Sequence, residues 1–265
     1  MASKRQPRQS REELRTLLLD TGRSILHEEG LGTGAEALTF KRVFDRVEDK
    51  TGLRITNASV IRRVWENQAD YQADVLATIA QNANVEEIDL SVEAIREVVD
   101  SVDLSTPMSR EAAMRELCRV GGEDNARAVS ESRHLPLWVG VWALAAVGEP
   151  LDHRRKIEAA LRTGYDAFTG RIEEIDAAMT AHLGFRLREQ FTLRQFAIAV
   201  DLLGQGYGLR SRVDDSVRDV IVRRTGPLGE PQEWTLFAVA FEALVLQFFE
   251  VDPDWARGVA DPGLG

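Results

Sequence analysis

The chain is poor in the residues that small secreted domains and metal sites depend on. Cys118 is its one cysteine, which excludes an internal disulfide and a cysteine-built zinc site and agrees with a reducing cytoplasm. His27, His134, His153 and His182 stand far apart, with no His-x-x-x-His pair to hold a metal on one helix face. No Gly-x-Gly-x-x-Gly or Walker-type loop offers a phosphate cradle. Long apolar runs are missing as well. The longest, Leu135 to Gly148 (LPLWVGVWALAAVG), falls short of the roughly 20 residues a membrane span needs and reads as a buried helix. The opening MASKRQPRQSREELR is basic and polar with no apolar stretch behind it, unlike a secretory signal. No enzyme motif, cofactor or metal is expected, no membrane contact is implied, and a cytoplasmic location is the expectation.

What is present is helical rhythm. Leu14, Leu17, Leu18, Ile25 and Leu26 recur at helical spacing behind a capping box, Ser10 with Glu13, and Gly30 can end that helix. Thr39 caps a second helix whose apolar positions Phe40, Val43, Phe44 and Val47 follow i, i+3, i+4, i+7. That helix stops at Thr51-Gly52. A short helix over 57–64 and another over 68–81 follow. Further helices are predicted near 91–103, 109–131, 135–148, 152–183, 192–210 and 234–250, with proline and glycine between them. No alternating run argues for a strand. The predicted fold is all-α, divided into a basic arm (1–9), a three-helix domain with its connecting helix (10–82, the connector 68–82), a larger helical bundle (83–251) and a loose tail (252–265).

Charge is unevenly distributed. Of the 33 lysines and arginines and 43 acids, residues 1–63 hold 13 and 9, a balance of +4, and residues 64–265 hold 20 and 34, a balance of −14. A basic segment on an acidic body is a known signature of nucleic-acid binding. The helix over 39–50, a glycine turn and the helix over 57–64 form a helix-turn-helix pattern, in which the second helix enters the major groove. Val60, Ile61, Val64 and Trp65 share its inner side; Ala58, Ser59, Arg62 and Arg63 share the other, with Thr56 and Asn57 at its start. Arginine suits both phosphate and guanine. The alternative is that these arginines only solvate a surface helix.

On these residues the first 82 positions resemble the DNA-binding domain of the TetR family of transcriptional regulators. Glu28-Glu29-Gly30 ends the first helix as in that family, Thr39 opens the second, Gly52-Leu53 and Ile55-Thr56-Asn57 occupy the turn, and Trp65 stands at the aromatic position that closes the recognition helix. The chain departs from the pattern where Arg62 replaces the usual aromatic and Gln68 the usual lysine. The resemblance implies a homodimeric, ligand-responsive regulator, a repressor of a near-palindromic operator in double-stranded DNA. DNA contacts would come from Thr39, Arg54, Thr56, Asn57, Ser59, Arg62, Arg63, Trp65 and Gln68, with Lys4, Arg5, Arg8 and Arg11 as a basic arm that either lies in the minor groove or only solubilises the chain. The last two long helices would pair across the dimer through Phe196, Val200, Leu203, Phe237, Phe241, Leu244 and Phe248. A hydrophobic small-molecule effector would sit among the central helices near Trp138, Trp142, Tyr165 and Phe168, with Arg119 or His134 as polar anchors. The acidic run Arg171-Ile172-Glu173-Glu174-Ile175-Asp176 reads as surface salt bridging. Two other readings stay open: a helical protein-interaction adaptor without DNA binding, and an all-α enzyme.

Overall fold

The first helix starts where Ser10 and Glu13 exchange hydrogen bonds, the Ser10 hydroxyl accepting from Glu13 N at 3.1 Å and the Glu13 carboxylate from Ser10 N at 2.8 Å. These bonds satisfy two donors that a helix otherwise leaves orphaned. A computed structural model describes residues 10–31, 38–60, 63–82, 102–147, 154–226 and 229–255. The basic arm 1–9, Gly32, Gly34, Arg62, the end of the tail and nearly all of the helix predicted over 91–103 lie outside them.

Helices dominate. In chain order they are α1 (Arg11–Glu29), α2 (Phe40–Thr51), α3 (Asn57–Val60), α4 (Gln68–Gln81), α5 (Pro107–Glu131), α6 (His134–Val147), α7 (Arg154–His182), α8 (Leu193–Arg210) and α9 (Leu236–Phe248). The fold is all-α. Four short strands, which the sequence did not announce, form two antiparallel pairs: β1 (Phe185–Leu187) with β4 (Phe249–Val251), and β2 (Ile221–Arg224) with β3 (Pro231–Trp234). Trp234 therefore ends a strand and is not the first residue of the last helix. It is buried, and its indole N–H donates to Thr225 Oγ1 at 2.8 Å.

The chain separates into two compact units, one of residues 1–83 with 136–165, the other of 84–135 with 166–265. The core of the first joins Leu18, Ile25 and Leu26 of α1, Val43 and Val47 of α2, Tyr71, Val75 and Ile79 of α4, Trp138 and Val141 of α6, and Ile157 and Leu161 of α7. Tyr71 donates its phenolic O–H to Leu18 O at 2.9 Å. Gly22 sits directly beneath Tyr71, where a Cβ would come within 2.3 Å of the phenolic oxygen. Burial accordingly pushes the Tyr71 phenol well up from its ordinary range.

In the second unit α9 packs on α5 and α8. The approach to α5 is backbone on backbone, since a Cβ on Gly122 would lie 2.6 Å from Ala238 Cα. Phe196, Trp234, Phe237 and Phe249 fill the space among these helices and strands. Cys118 is buried there too, and its thiol is pushed up by desolvation and by the nearby Glu242.

Candidate nucleic-acid interface

Thr39 caps α2, its hydroxyl accepting from Arg42 N at 3.3 Å. Gln68 contributes to the same helix start, its Oε1 accepting from Phe40 N at 3.0 Å. Both residues thus use a side-chain acceptor to satisfy the α2 N-terminus, a role the periodicity gave only to Thr39. At the other end Gly52 takes the left-handed conformation (φ 70°) and donates to Glu48 O at 2.7 Å. The sharp exit re-aims the chain into residues 53–56.

There exposure alternates. Leu53 and Ile55 pack on the core, whereas Arg54, Thr56 and Asn57 are exposed. Helix α3 is described over Asn57–Val60, and beyond residues 61–62, which lie outside the described ones, Arg63 and Val64 form a turn, short of the predicted 57–64. Val60 is fully buried, and its carbonyl accepts from Arg63 N, Val64 N and Trp65 N at 3.2, 2.9 and 3.4 Å. One carbonyl therefore gathers the next turn of chain.

Trp65 belongs to the core. It is 5% exposed, stacks edge-on with Tyr71 at 4.9 Å and donates its indole N–H to Asp74 Oδ2 at 2.9 Å. Arg15 reaches the same oxygen at 2.7 Å and lies 5.9 Å above the Trp65 ring, while Lys156 pairs with Asp74 Oδ1. Asp74 is the residue that sequence reasoning missed. Its signal was a lone acid inside the apolar stretch YQADVLATIA.

Two of the basic residues on α2 are used within the unit. Arg42 pairs with Glu29 and Arg46 with Glu28 at 2.6 Å, and the Arg46 hydrogen bond holds the Glu28 carboxyl below its usual range. Lys41 and Arg54 remain exposed, and Arg63 is half-buried. Arg11 is the exposed first residue of α1. Chemically, this surface offers a guanidinium, a hydroxyl and an amide on one turn of chain. Those groups can bind phosphate and base edges.

No known protein-family model matches the chain, and no curated protein matches it at a significant level. The reading of function therefore rests on the residues themselves.

The other expected sites are placed as follows. Trp138 and Tyr165 meet edge-on at 4.9 Å in the core of the first unit, with the Trp138 indole donating to Ala80 O at 3.3 Å. Trp142 is 47% exposed. In the second unit, Arg119 is paired with Glu116 and Glu123 along its own helix, and His134 and Phe168 are half-buried. Of the residues expected at a dimer interface, Phe196 and Phe237 are buried within the chain, and Val200, Leu203, Phe241, Leu244 and Phe248 pack partly against the same core. The apolar side chains that α8 and α9 expose are Ile198, Leu202, Leu236 and Leu246. Among the described residues no group of three or more His, Cys, Asp or Glu could hold a metal ion, and no helix is long and apolar enough to cross a membrane.

Proposed function

We propose that the chain is a TetR-like transcriptional regulator that binds a near-palindromic operator as a homodimer and is released by a small-molecule effector. The observation that carries this reading is the segment after Gly52. Leu53, Ile55, Val60 and Trp65 pin it to the core, and Arg54, Thr56 and Asn57 point away from that core. A turn fixed at so many points presents its polar side chains at little entropic cost on binding. The net balance of +4 over residues 1–63 supports the same surface. Exposed Leu202 and Leu246 support a second copy of the chain on α8 and α9. Two-fold pairing would then set two such segments about 34–36 Å apart, one turn of B-DNA.

The test is selection of genomic fragments by the purified protein, followed by footprinting of the enriched DNA. A protected near-palindrome is the expected result. Asn57→Ala is expected to cost about 1–3 kcal/mol on that site and to relax specificity at one base position. Arg54→Ala, if its partner is a phosphate, should weaken all sequences alike and lower the salt slope by about one. No enrichment even at low salt would overturn the reading and leave the adaptor in its place.

A further inference from the structure

A cleft of about 200 Å³ opens in the second unit. Its floor is apolar, made by Met114 and Cys118 of α5, Phe185 of β1 and Phe249 of β4, all of them buried. Arg115 and Arg188 line its polar side, and each is fixed by a carboxylate. Arg115 Nε donates to Glu242 Oε1 at 3.1 Å, and Arg188 Nη1 donates to Glu250 Oε2 at 2.9 Å.

Four guanidiniums share two carboxylates there. Glu242 accepts a second guanidinium through Oε2, from Arg223 at 2.5 Å, and Glu250 accepts a second through Oε1, from Arg186 at 2.9 Å. Both oxygens of both carboxylates are therefore engaged. A guanidinium carries five N–H donors in a fixed fork, and Arg115 and Arg188 each commit one nitrogen to a glutamate. Among the described residues the other guanidinium nitrogens of Arg115 and Arg188 have no partner, so the cleft has donors to spare. The remaining lining carboxylate, Glu111, is exposed and screened by water.

The geometry points to a binding site for a small apolar carboxylate, its hydrocarbon body on the Met114–Phe249 floor and its carboxylate on the unused N–H groups of Arg115 and Arg188. Charge-assisted bonds of this kind are the strong class, and the glutamates hold the guanidiniums ready before the ligand arrives. An apolar cavity of about 150 Å³ admits benzene, so the space suits a ring or short chain with a carboxyl group. The site stands apart from the DNA-binding reading, because nothing in it requires the chain to touch DNA.

The experiment is calorimetric titration at pH 7 with octanoate and 4-methylbenzoate, each against its neutral amide, alongside methyl NMR of protein labelled at methionine. The carboxylates should bind at least tenfold more tightly than the amides, and the Met114 methyl resonance should move on binding. Arg188→Gln should remove about tenfold of carboxylate affinity and leave the amides unaffected; Arg188→Lys should recover part of it. The NMR result uses the unaltered chain and so holds even if a variant is unstable. Equal binding of acid and amide, no binding by either, or an unmoved Met114 methyl would each overturn the assignment. Operator affinity is measured separately with octanoate present. A carboxylate that binds without changing that affinity upholds the site and removes only its link to regulation.

Discussion

Asp74 is a buried carboxylate with both oxygens engaged, by Trp65 and Arg15 on one side and Lys156 on the other. Arg15 and Lys156 are about half-exposed and can turn to water if the carboxylate is lost. The Trp65 indole cannot, and an orphaned buried donor costs about 1–3 kcal/mol. Asp74→Ala should therefore destabilise by roughly 2–3 kcal/mol, and Asp74→Asn, which keeps an acceptor for the indole, by clearly less; urea titration distinguishes the two. An equal loss in both would mean that charge, not the indole bond, is what counts. Asp176 is the opposite case. It was expected on a salt-bridged surface, and its exposed neighbour Glu174 does behave so, pairing with Arg171 at 3.2 Å. The Asp176 Oδ2, however, is buried without a hydrogen-bond partner among the described residues, and desolvation raises its carboxyl to about 7. In the unfolded chain it titrates near 3.9, so between these values the folded state binds more protons and stability falls as pH rises. Asp176→Asn should flatten the fall in melting temperature between pH 5 and pH 8 and raise its value at the upper end. A parent protein whose melting temperature does not fall across that interval would sink the argument.

Among elements, the helices were legible and the strands were not, for a physical reason. Ser10-Glu13 and Thr39 announce helix starts by hydrogen bonds made within three residues, and the structure has both. IVRR and PQEW are only four residues each, two periods of alternation at most, too short to mark a strand before they pair with each other. Helix α3 stops short of the expected 57–64: residues 61–62 lie outside the described ones, and Arg63 and Val64 form a turn held to Val60 O. The candidate site was legible where neighbours in sequence are neighbours in space, as with Arg54, Thr56 and Asn57. It was not legible where distant segments converge, as with Asp74 and Lys156, or Arg115 with Glu242. At this scale one close approach is between α5 and α9. Gly122→Ala places a methyl group against the Ala238 backbone, and overpacking of this kind costs about 1–3 kcal/mol. The expected result is a lower melting temperature. Gly206→Ala on α8, which meets nothing within 4 Å, serves as the control.

Across the whole molecule the charges divide into a basic beginning and an acidic remainder, +4 over residues 1–63 and −14 over the rest. An acidic body repels DNA, so contact would be confined to the first unit and the affinity for DNA of any sequence should drop steeply with salt. Assembly is read out at the same scale. Leu202→Lys and Leu246→Lys, both on exposed positions, should shift sedimentation from dimer to monomer and abolish a two-half-site footprint while leaving melting nearly unchanged. A footprint that survives in the monomeric form would separate operator binding from pairing. The burial of Cys118 carries one more consequence. A thiol-reactive dye added to the native protein finds its target 1% exposed and held in the unreactive protonated form. Labelling can proceed only as fast as the α5 region opens, and the chain has no second thiol to confuse the signal. The wild-type protein thus contains its own clock for the breathing of the second unit, readable without introducing a single probe.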